Sequence, residues 1–443
     1  MRKAASDMPY FGFKGGIHPA YNKTATQGKA TELLPVQAGE TVHIPLSQHI
    51  GAPAVVLVKK NQQVKTGEPI GEAAGFISTT IHSSVTGKVV SVGTVDHPVG
   101  GRVPGVSIEV EDPADTFMPI GDAGTFQKTV LAAGIAGMGG ATFPSHVKLS
   151  PPKEVDALLI NGAECEPYLT CDHRMMLERS EDVIKGAVLI KERLKIAKLA
   201  VGIEKNKPDA IEIFRKLQKS YAFELVELEV KYPQGGEKQL IKACLDRVVP
   251  EGKLPMEVGV IVHNVGTCAA IYDAVEKRKP LYERMVTVTG AVKEPKNLLV
   301  RIGTPISKLI EHCGGFVGEP KKIVMGGPMM GLAVTSLNTP VMKGTSGILV
   351  YREEDLPDLT KYKCMRCGRC IDACPMGLIP SAMDRFVVKE LYEQLADWHV
   401  MNCIECGCCS WACPSRRTLA GGFKTSKRIV AGIIRSREEK KNA

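Results

Sequence analysis

A chain of 443 residues is too long for one ordinary domain and calls for three or four, at roughly 100–200 residues each. A hydrophobic share of 44% with 24% charged residues excludes a disordered or fibrous chain and predicts packed cores. The formal net charge of +9 suits an anionic membrane face or an acidic protein; no helix-turn-helix, zinc-finger or RNA-recognition signature accompanies it, so no nucleic-acid partner is expected.

The first stretch, MRKAASDMPYFGFKGG, has no apolar core of a secretion signal, and no run of about 18 apolar residues occurs anywhere. We expect a cytosolic protein that meets a membrane only through a partner. Residues 1–115 read as short β-segments: TVHIPL, AVVLVKK, GKVVSVG and VSIEVED are β-branched and bounded by Gly, Pro and Asp. The phrase VKKNQQVKTGEPIGE…IHSSVTGKVVSV resembles the biotinyl/lipoyl hammerhead, whose hairpin tip carries a cofactor on a lysine. Here no lysine lies between Lys65 and Lys88, and the tip falls near Phe76. The resemblance implies a barrel-sandwich (lipoyl-like) scaffold without a swinging arm.

From about residue 120 to 280 the pattern becomes α/β. FQKTVLAAGIAG, SEDVIKGAVLIKERLK and KPDAIEIFRKLQKSY read as helices; VDALLINGAE, KLAVGIE and EVGVIVHNVG read as buried strands. Such alternation predicts a mostly parallel sheet covered on both faces, with ligands in the loops at the strand carboxyl ends. Four loops there are unusual. GIAGMGGATFPSHVKL puts four glycines into the seven positions Gly134–Gly140, a stretch whose N–H groups would suit an anion, with Lys148 supplying charge. NGAECEPYLTCDHR carries Asn161 and Glu164; YPQGGEKQL carries Gly235, Gly236 and Glu237; HNVGTCAAI carries Asn264 and Thr267. Each alone is weak: a glycine-rich turn is more often only a turn, and Asn161 or Glu164 alone reads as a cap or surface group. His263 reads as a satisfied core histidine, and Cys165, Cys171, Cys244, Cys268 and Cys313 as buried apolar thiols. After Tyr282, MVTVTGAVKEPKNLLVRIGTPISKLIEHCGG reads strand, turn, strand, helix, and VMGGPMMG follows as another glycine turn.

Nine of the 14 cysteines lie between Cys364 and Cys413. KCMRCGRCIDACPMG and MNCIECGCCSWACPS each spell C-x2-C-x2-C-x3-C-P, the run that holds [4Fe–4S] clusters in two-cluster ferredoxins, where the fourth cysteine ligates the other cluster. The spacing assigns Cys364, Cys367, Cys370 and Cys413 to one cluster and Cys403, Cys406, Cys409 and Cys374 to the second. Structural zinc prefers ligand pairs separated by a long loop, which this pattern lacks. Cys408 is an extra thiol outside the ligand set. Between the motifs Met383, Phe386, Val387, Leu391, Leu395 and Trp398 fall at helical spacing, which predicts a helical linker and an α-helical two-cluster domain. In the tail, Ile429, Val430, Ile433 and Ile434 form a stripe among Lys and Arg that suits either an acidic or membrane face or the domain's own core.

Taken together, G-x-G-G-A-x-F-P-x-x-x-K, N-x-x-E-x-E-P, G-G-E and N-V-x-T-x-A resemble the NADH-oxidising flavoprotein subunit of respiratory complex I. With the barrel-sandwich start and the double cluster motif, the chain resembles the C subunits of Rnf electron-transport complexes over essentially its whole length. The resemblance implies a multidomain α/β protein: barrel-sandwich domain (1–115), FMN/NAD(H)-binding domain with a parallel sheet (120–280), β-grasp module of the soluble-ligand-binding type (283–350) and two-[4Fe–4S] ferredoxin domain (355–443). It implies that Gly137, Gly139, Gly140, Lys148, Asn161, Asn264 and Thr267 hold FMN, and that Phe143, Glu164, Gly236 and Glu237 line the NAD(H) side. The chain departs from complex I in having Met138 for an arginine, Ala163 for an aspartate and Pro151 for an aromatic.

The implied function is that of a peripheral subunit, on the cytoplasmic face of the membrane, of an ion-pumping ferredoxin:NAD+ oxidoreductase. Hydride transfer belongs to FMN, so no side chain is assigned as catalytic. Expected partners are a ferredoxin-like cluster subunit, integral membrane subunits that carry out the pumping, and ferredoxin indirectly. Competing readings are the flavoprotein subunit of a soluble NAD-linked hydrogenase or bifurcating enzyme, and a non-catalytic iron–sulfur scaffold that binds no nucleotide.

Overall fold

The computed structural model describes residues 10–442 apart from Asp115 and Leu359. In the N-terminal β-domain, alternation turns Val42 and Ile44 of Thr41–Pro45 inward, where they meet Val89, Val106, Ile108 and Val110 of the long hairpin Thr86–Asp96/Arg102–Asp112. That hairpin, Thr41–Pro45 and Gln63–Val64 form a four-stranded sheet, and Val55–Val56, Pro69–Glu72 and Ile81–His82 form a second of three strands. Ile70 and Ile81 of the second sheet join the same core, so the two sheets pack as a sandwich. Phe76 stands at a tip between Pro69–Glu72 and Ile81–His82, 67% exposed.

Residues 10–33 do not enter this sandwich. Rich in Gly, Lys and Thr and without alternation, they run as an extended strap over the rest of the molecule. The Phe11 N–H donates to the Ala243 carbonyl, Ile17 bridges to Tyr232, and Thr31–Leu33 pairs in parallel with Asn297–Leu299. Leu34 then buries itself in the third domain's core, which draws the strap's end there.

The second domain has the expected parallel sheet, in the order Glu224–Leu228, Lys198–Glu204, Ala157–Gly162, Val260–Asn264. Its strands are near-continuous apolar runs because both faces are covered. Leu158, Ile160, Val201, Ile203 and Ile261 face the helices Phe126–Ala132, Ser180–Arg193, Pro208–Leu217 and Val265–Glu276. Leu159, Ala200, Val226 and Val262 face the helix Glu237–Leu245. Gly186 lets two of these helices approach backbone to backbone, since a Cβ there would lie 1.9 Å from the Cys268 carbonyl oxygen.

The strand–turn–strand–helix reading after Tyr282 corresponds to Glu283–Gly290, Lys296–Arg301 and Ile306–His312. They belong to a six-stranded mixed sheet ordered Thr31–Leu33, Lys296–Arg301, Glu283–Gly290, Gly347–Tyr351, Lys322–Met325, Leu332–Val334. The last domain is helical, but the expected linker is two helices, Pro380–Val388 and Tyr392–Asp397. The chain turns at Glu390, which takes φ 56°, and so brings both Met383 and Leu395 onto Leu419, Phe423 and Val430 of the long helix Leu419–Asn442. One straight helix would not present both to that partner, and Leu391 and Trp398 are left 38% and 39% exposed. In the tail, Val430 is buried and Ile434 packs against the domain's own core, while Ile429 is exposed. Among the described residues no helix is long and apolar enough to cross a membrane.

Candidate functional site

The glycine-rich loop is a closed structure. Gly137 N–H donates to the Phe143 carbonyl at 2.8 Å, Ser145 N–H to the Ile135 carbonyl at 3.0 Å, and Ala136 bridges to Pro144. At its start Lys343 donates to the carbonyls of Gly134 at 2.6 Å and Thr80 at 2.7 Å, and burial lowers this lysine to about 7. Farther along, Met138 N–H donates to Thr267 Oγ1 at 3.0 Å and the Met138 carbonyl accepts from Arg284 Nη2 at 2.7 Å. The barrel-sandwich domain abuts the loop's outer side, with His146 Nε2 3.1 Å from the Phe76 carbonyl. What is left over is the tip: Gly139 and Gly140 are exposed, and their N–H groups have no acceptor among the described residues.

The tip overhangs the carboxyl ends of two paired strands, where Asn161 stands opposite Asn264. Asn161 accepts from the Ala163 N–H and donates to the Gly235 carbonyl at 2.9 Å, tying the second loop to the third. Asn264 caps the helix Val265–Glu276 by accepting from Gly266 N–H at 2.8 Å, and donates to Asp172 Oδ2 at 2.7 Å. A Cβ on Gly139 would lie 3.4 Å from Asn264 Nδ2, so the loop and the amide are in near contact. Lys148 donates to Glu237 Oε1 at 2.7 Å and to the Val262 carbonyl at 3.2 Å. Gly137, Gly139, Gly140, Lys148, Asn161, Gly236, Glu237, Asn264 and Thr267 therefore gather at one sheet edge, and Phe143 closes the loop's neck half-buried.

Glu164 is turned the other way. Its two oxygens accept from the N–H groups of Asp172 at 2.9 Å and His173 at 3.3 Å, at the start of the helix Cys171–Glu178, and Lys23 of the strap lies 3.8 Å from it. Glu164, Cys171 and Asp172 offer ligand atoms within 4.8 Å of one another, but Glu164 is engaged by these N–H groups and by the Cys171 thiol. Burial first, and then the Glu164 charge, raise the Asp172 carboxyl above its usual range.

Two readings need correction. His263 is buried but not satisfied: its Nε2 has no hydrogen-bond partner among the described residues, and burial, then Lys148, lower it to about 3. Cys165 is half-buried and accepts from Gly235 N–H at 3.3 Å, whereas Cys171, Cys244, Cys268 and Cys313 are buried. Sequence reasoning missed Lys23, Asp172, Tyr232, Gln239 and Arg284. Asp172 and Tyr232 lie within the loops singled out, but Lys23 sits in a stretch without motif and Arg284 in an ordinary strand.

The residues fit a phosphate-bearing flavin. Open N–H groups at a glycine tip make an anion-binding concavity, the tip leaves room for a close backbone approach, and Lys148 adds a cation. Unspent hydrogen-bonding capacity remains nearby, at His263 Nε2, Gln239 Oε1 and Gln234 Nε2. A separate open groove, bordered by Ser307, Ile310, Glu311, Phe316 and Leu337, lies on the third domain.

The cysteine motifs cross over in space. Cys374 from the first lines one cavity with Cys403, Cys406 and Cys409 of the second. Burial, and then the charges of Cys403, Cys406 and Cys374, raise the Cys409 thiol to about 12. Cys370 and Cys413 are likewise close enough to feel each other's charge. Thiolates gathered this way repel one another unless a cation lies among them, which is the donor chemistry a cluster requires. Cys408 is fully buried beside Cys406 with its Sγ 4.0 Å from the Tyr232 carbonyl.

The cavity with Cys374 is fastened to the sheet domain. Tyr232, in the third loop, donates its hydroxyl to the Cys406 carbonyl at 2.8 Å. Gln239 reaches the Pro375 carbonyl at 3.4 Å, and Gly16 N–H of the strap donates to the Ala373 carbonyl at 3.0 Å. Glu166 accepts from Met329 and Met330 N–H at 3.1 and 2.8 Å, and a Cβ on Gly407 would lie 3.3 Å from the Met329 carbonyl oxygen.

Four family models match in succession: the RnfC barrel sandwich hybrid domain over 11–113, the Nuo51 FMN-binding domain over 130–273, the SLBB domain over 285–333 and a 4Fe-4S dicluster domain over 357–414. The chain is 47% identical to the C subunit of a proton-translocating ferredoxin:NAD(+) oxidoreductase complex of Clostridium ljungdahlii, covering 86% of each chain. It is 45% identical to the C subunit of the Na(+)-translocating complex of Acetobacterium woodii, over 94% of this chain and 97% of that one. It is 41% identical to the C subunit of an ion-translocating oxidoreductase complex of Rhodobacter capsulatus, over 84% of this chain and 74% of that one.

Proposed function

The chain belongs to the family of C subunits of ion-translocating ferredoxin:NAD(+) oxidoreductase complexes, and from that premise we propose that it passes electrons between two [4Fe–4S] clusters, FMN and NAD(H). It acts as one subunit of a multi-subunit electron-transport complex. We assign FMN to Gly137, Gly139, Gly140, Lys148, Asn161, Asn264 and Thr267, and the dinucleotide side to Phe143, Gly236 and Glu237. Glu164 contributes there by holding the start of the helix Cys171–Glu178. One cluster takes Cys374, Cys403, Cys406 and Cys409; the other takes Cys364, Cys367, Cys370 and Cys413. Bound there, a flavin supplies the exchange between two-electron NAD(H) chemistry and one-electron cluster chemistry.

The chain's own residues perform the rest. The N–H groups of Gly139 and Gly140 and the Lys148 ammonium hold negative charge, while Thr267 and Arg284 fix the loop from behind through Met138. Tyr232 and Gln239 hold the cysteine cavity against the same edge of the sheet. The single observation that carries the reading is this juncture: Tyr232 and Glu237 stand at the two ends of one short loop, Glu237 accepting from Lys148 and Tyr232 donating to the Cys406 carbonyl. The partners are a ferredoxin-like cluster subunit and membrane-integral subunits in which ion movement takes place, and the location is the cytoplasmic face of the cell membrane.

The test is anaerobic purification with added FMN, followed by iron and flavin content and bleaching of the visible spectrum by NADH. About eight irons, one flavin and fast bleaching are expected, the iron count following from two four-iron clusters. Eight irons with no flavin and no response to NADH would leave an iron–sulfur scaffold and overturn the proposal.

A further inference from the structure

The two cysteine sets differ in what surrounds them. The set with Cys374 is covered by Tyr232, Gln239, the strap at Gly15–Ile17 and the Met329 turn. The other set is reached through residues 360–368, an irregular stretch in which Cys364 and Cys367 are themselves exposed, and the short helix Arg369–Asp372 that follows it. Along its edge Tyr362 N–H donates to the Ser415 carbonyl, Ser415 Oγ to the Lys363 carbonyl, and the Arg416 guanidinium lies over the Tyr362 ring.

Stretch and helix together carry Lys361, Lys363, Arg366 and Arg369, all exposed. Among the described residues none of the four is in an ion pair with a carboxylate. The acids nearby are Asp358, already paired with Arg416, and the exposed Asp372. Interleaved with the cations are large apolar groups: Met365 is 65% and Tyr362 55% exposed. Ile371 and Trp411, on two short helices that touch each other, are 39% and 54% exposed. A surplus of unpaired positive charge, four cations against the exposed Asp372, around an apolar centre is the pattern of a docking surface whose partner bears the opposite charge.

We propose that this face, over Cys364, Cys367 and Cys370, is the docking surface for an acidic protein that carries a one-electron centre near its own surface. The inference rests on the cluster assignment above and adds the side on which electrons are exchanged and the chemistry of the partner. In each encounter the carrier is oxidised by one electron and the centre held by Cys364, Cys367, Cys370 and Cys413 is reduced by one; no bond forms or breaks and no proton is required. The other cysteine set, sealed against the sheet domain, has no comparable access.

The experiment uses the cluster-loaded, flavin-loaded chain and, as probe, a reduced acidic bacterial two-cluster ferredoxin, followed by stopped-flow absorbance at several salt concentrations. The second-order rate of cluster reduction should fall steeply with salt, and the charge reversals Lys361→Glu and Arg366→Glu together should lower it about tenfold or more at low salt. Iron content, cluster reduction by dithionite and flavin reduction by NADH should stay at the parent level, because these substitutions leave every proposed ligand in place. An unchanged rate and salt dependence, with iron content intact, overturns the proposal. So does binding to vesicles of anionic lipid that the reversals abolish while the ferredoxin rate is untouched, which would make the face a membrane contact. Failure of NADH to reduce the flavin, with the salt-dependent ferredoxin rate preserved, would count against the nucleotide assignment and leave this docking surface standing.

Discussion

Glu164 and Glu166 stand two positions apart in one loop, and the backbone sends them in different directions. Glu164 holds the start of a helix in its own domain; Glu166 crosses to the third domain and accepts two N–H groups of the Met329–Met330 turn. Burial raises Glu166 from its ordinary 4.5 to about 7, and the two N–H donors offset only part of this. A raised carboxyl binds its proton more tightly in the folded state. Its cost is therefore absent below about pH 4.5, grows as pH climbs to about 7, and is constant above, roughly 3 kcal/mol in all. About 1 kcal/mol of that falls between pH 6 and pH 8. Glu166→Gln should remove this part of the pH dependence of the thermal midpoint, whereas an unchanged difference between pH 6 and pH 8 would show that Glu166 is already charged at pH 6. The pair was legible as a motif but not as two roles, because which acid turns inward depends on a helix and a turn that come from elsewhere in the chain.

At the scale of elements, the strap and the broken linker are the features least written in local pattern. Gly15 takes φ 69°, and a Cβ there would lie 2.5 Å from the Cys374 carbonyl oxygen. Gly15→Ala meets both the left-handed backbone penalty and this clash, together about 1–3 kcal/mol, taken up at the seam between the sheet domain and the ferredoxin domain. The expected outcome is unaltered flavin reduction by NADH with slower onward reduction of the clusters, read by rapid-mixing spectroscopy; equal rates for both steps would mean that the strap does not set this seam. The apolar spacing from Met383 to Trp398 is helical throughout, with neither Gly nor Pro between them, so local pattern gives no sign of the break. The linker breaks at Glu390 because Met383 and Leu395 each gain a buried place against the long C-terminal helix. The parallel strands, by contrast, were legible almost to the residue at Lys198–Glu204, since a strand buried on both faces has to be apolar on both.

Across the whole molecule, the crossed cysteine sets give the most direct check on how distant segments depend on each other. Cys413→Ser should deplete the same cluster signal as Cys364→Ser, though the two lie in different motifs, and should leave the signal that depends on Cys409. Electron paramagnetic resonance of the reduced protein with iron analysis measures this, and a loss shared by Cys413 and Cys409 would contradict the crossing. Composition and spacing alone determined the cluster chemistry, because a C-x2-C-x2-C-x3-C-P run places thiolates at fixed short reach whatever surrounds it. Local pattern also determined the parallel sheet and the glycine tip, since burial on two faces and close backbone approach each constrain residue type directly. Only the tertiary structure decided that the strap and Tyr232 seal one cysteine set, that Glu164 turns inward, and that the other set looks outward under four cations without a carboxylate partner among the described residues. Those outcomes depend on contacts between segments hundreds of residues apart, whose energies no local sequence pattern encodes.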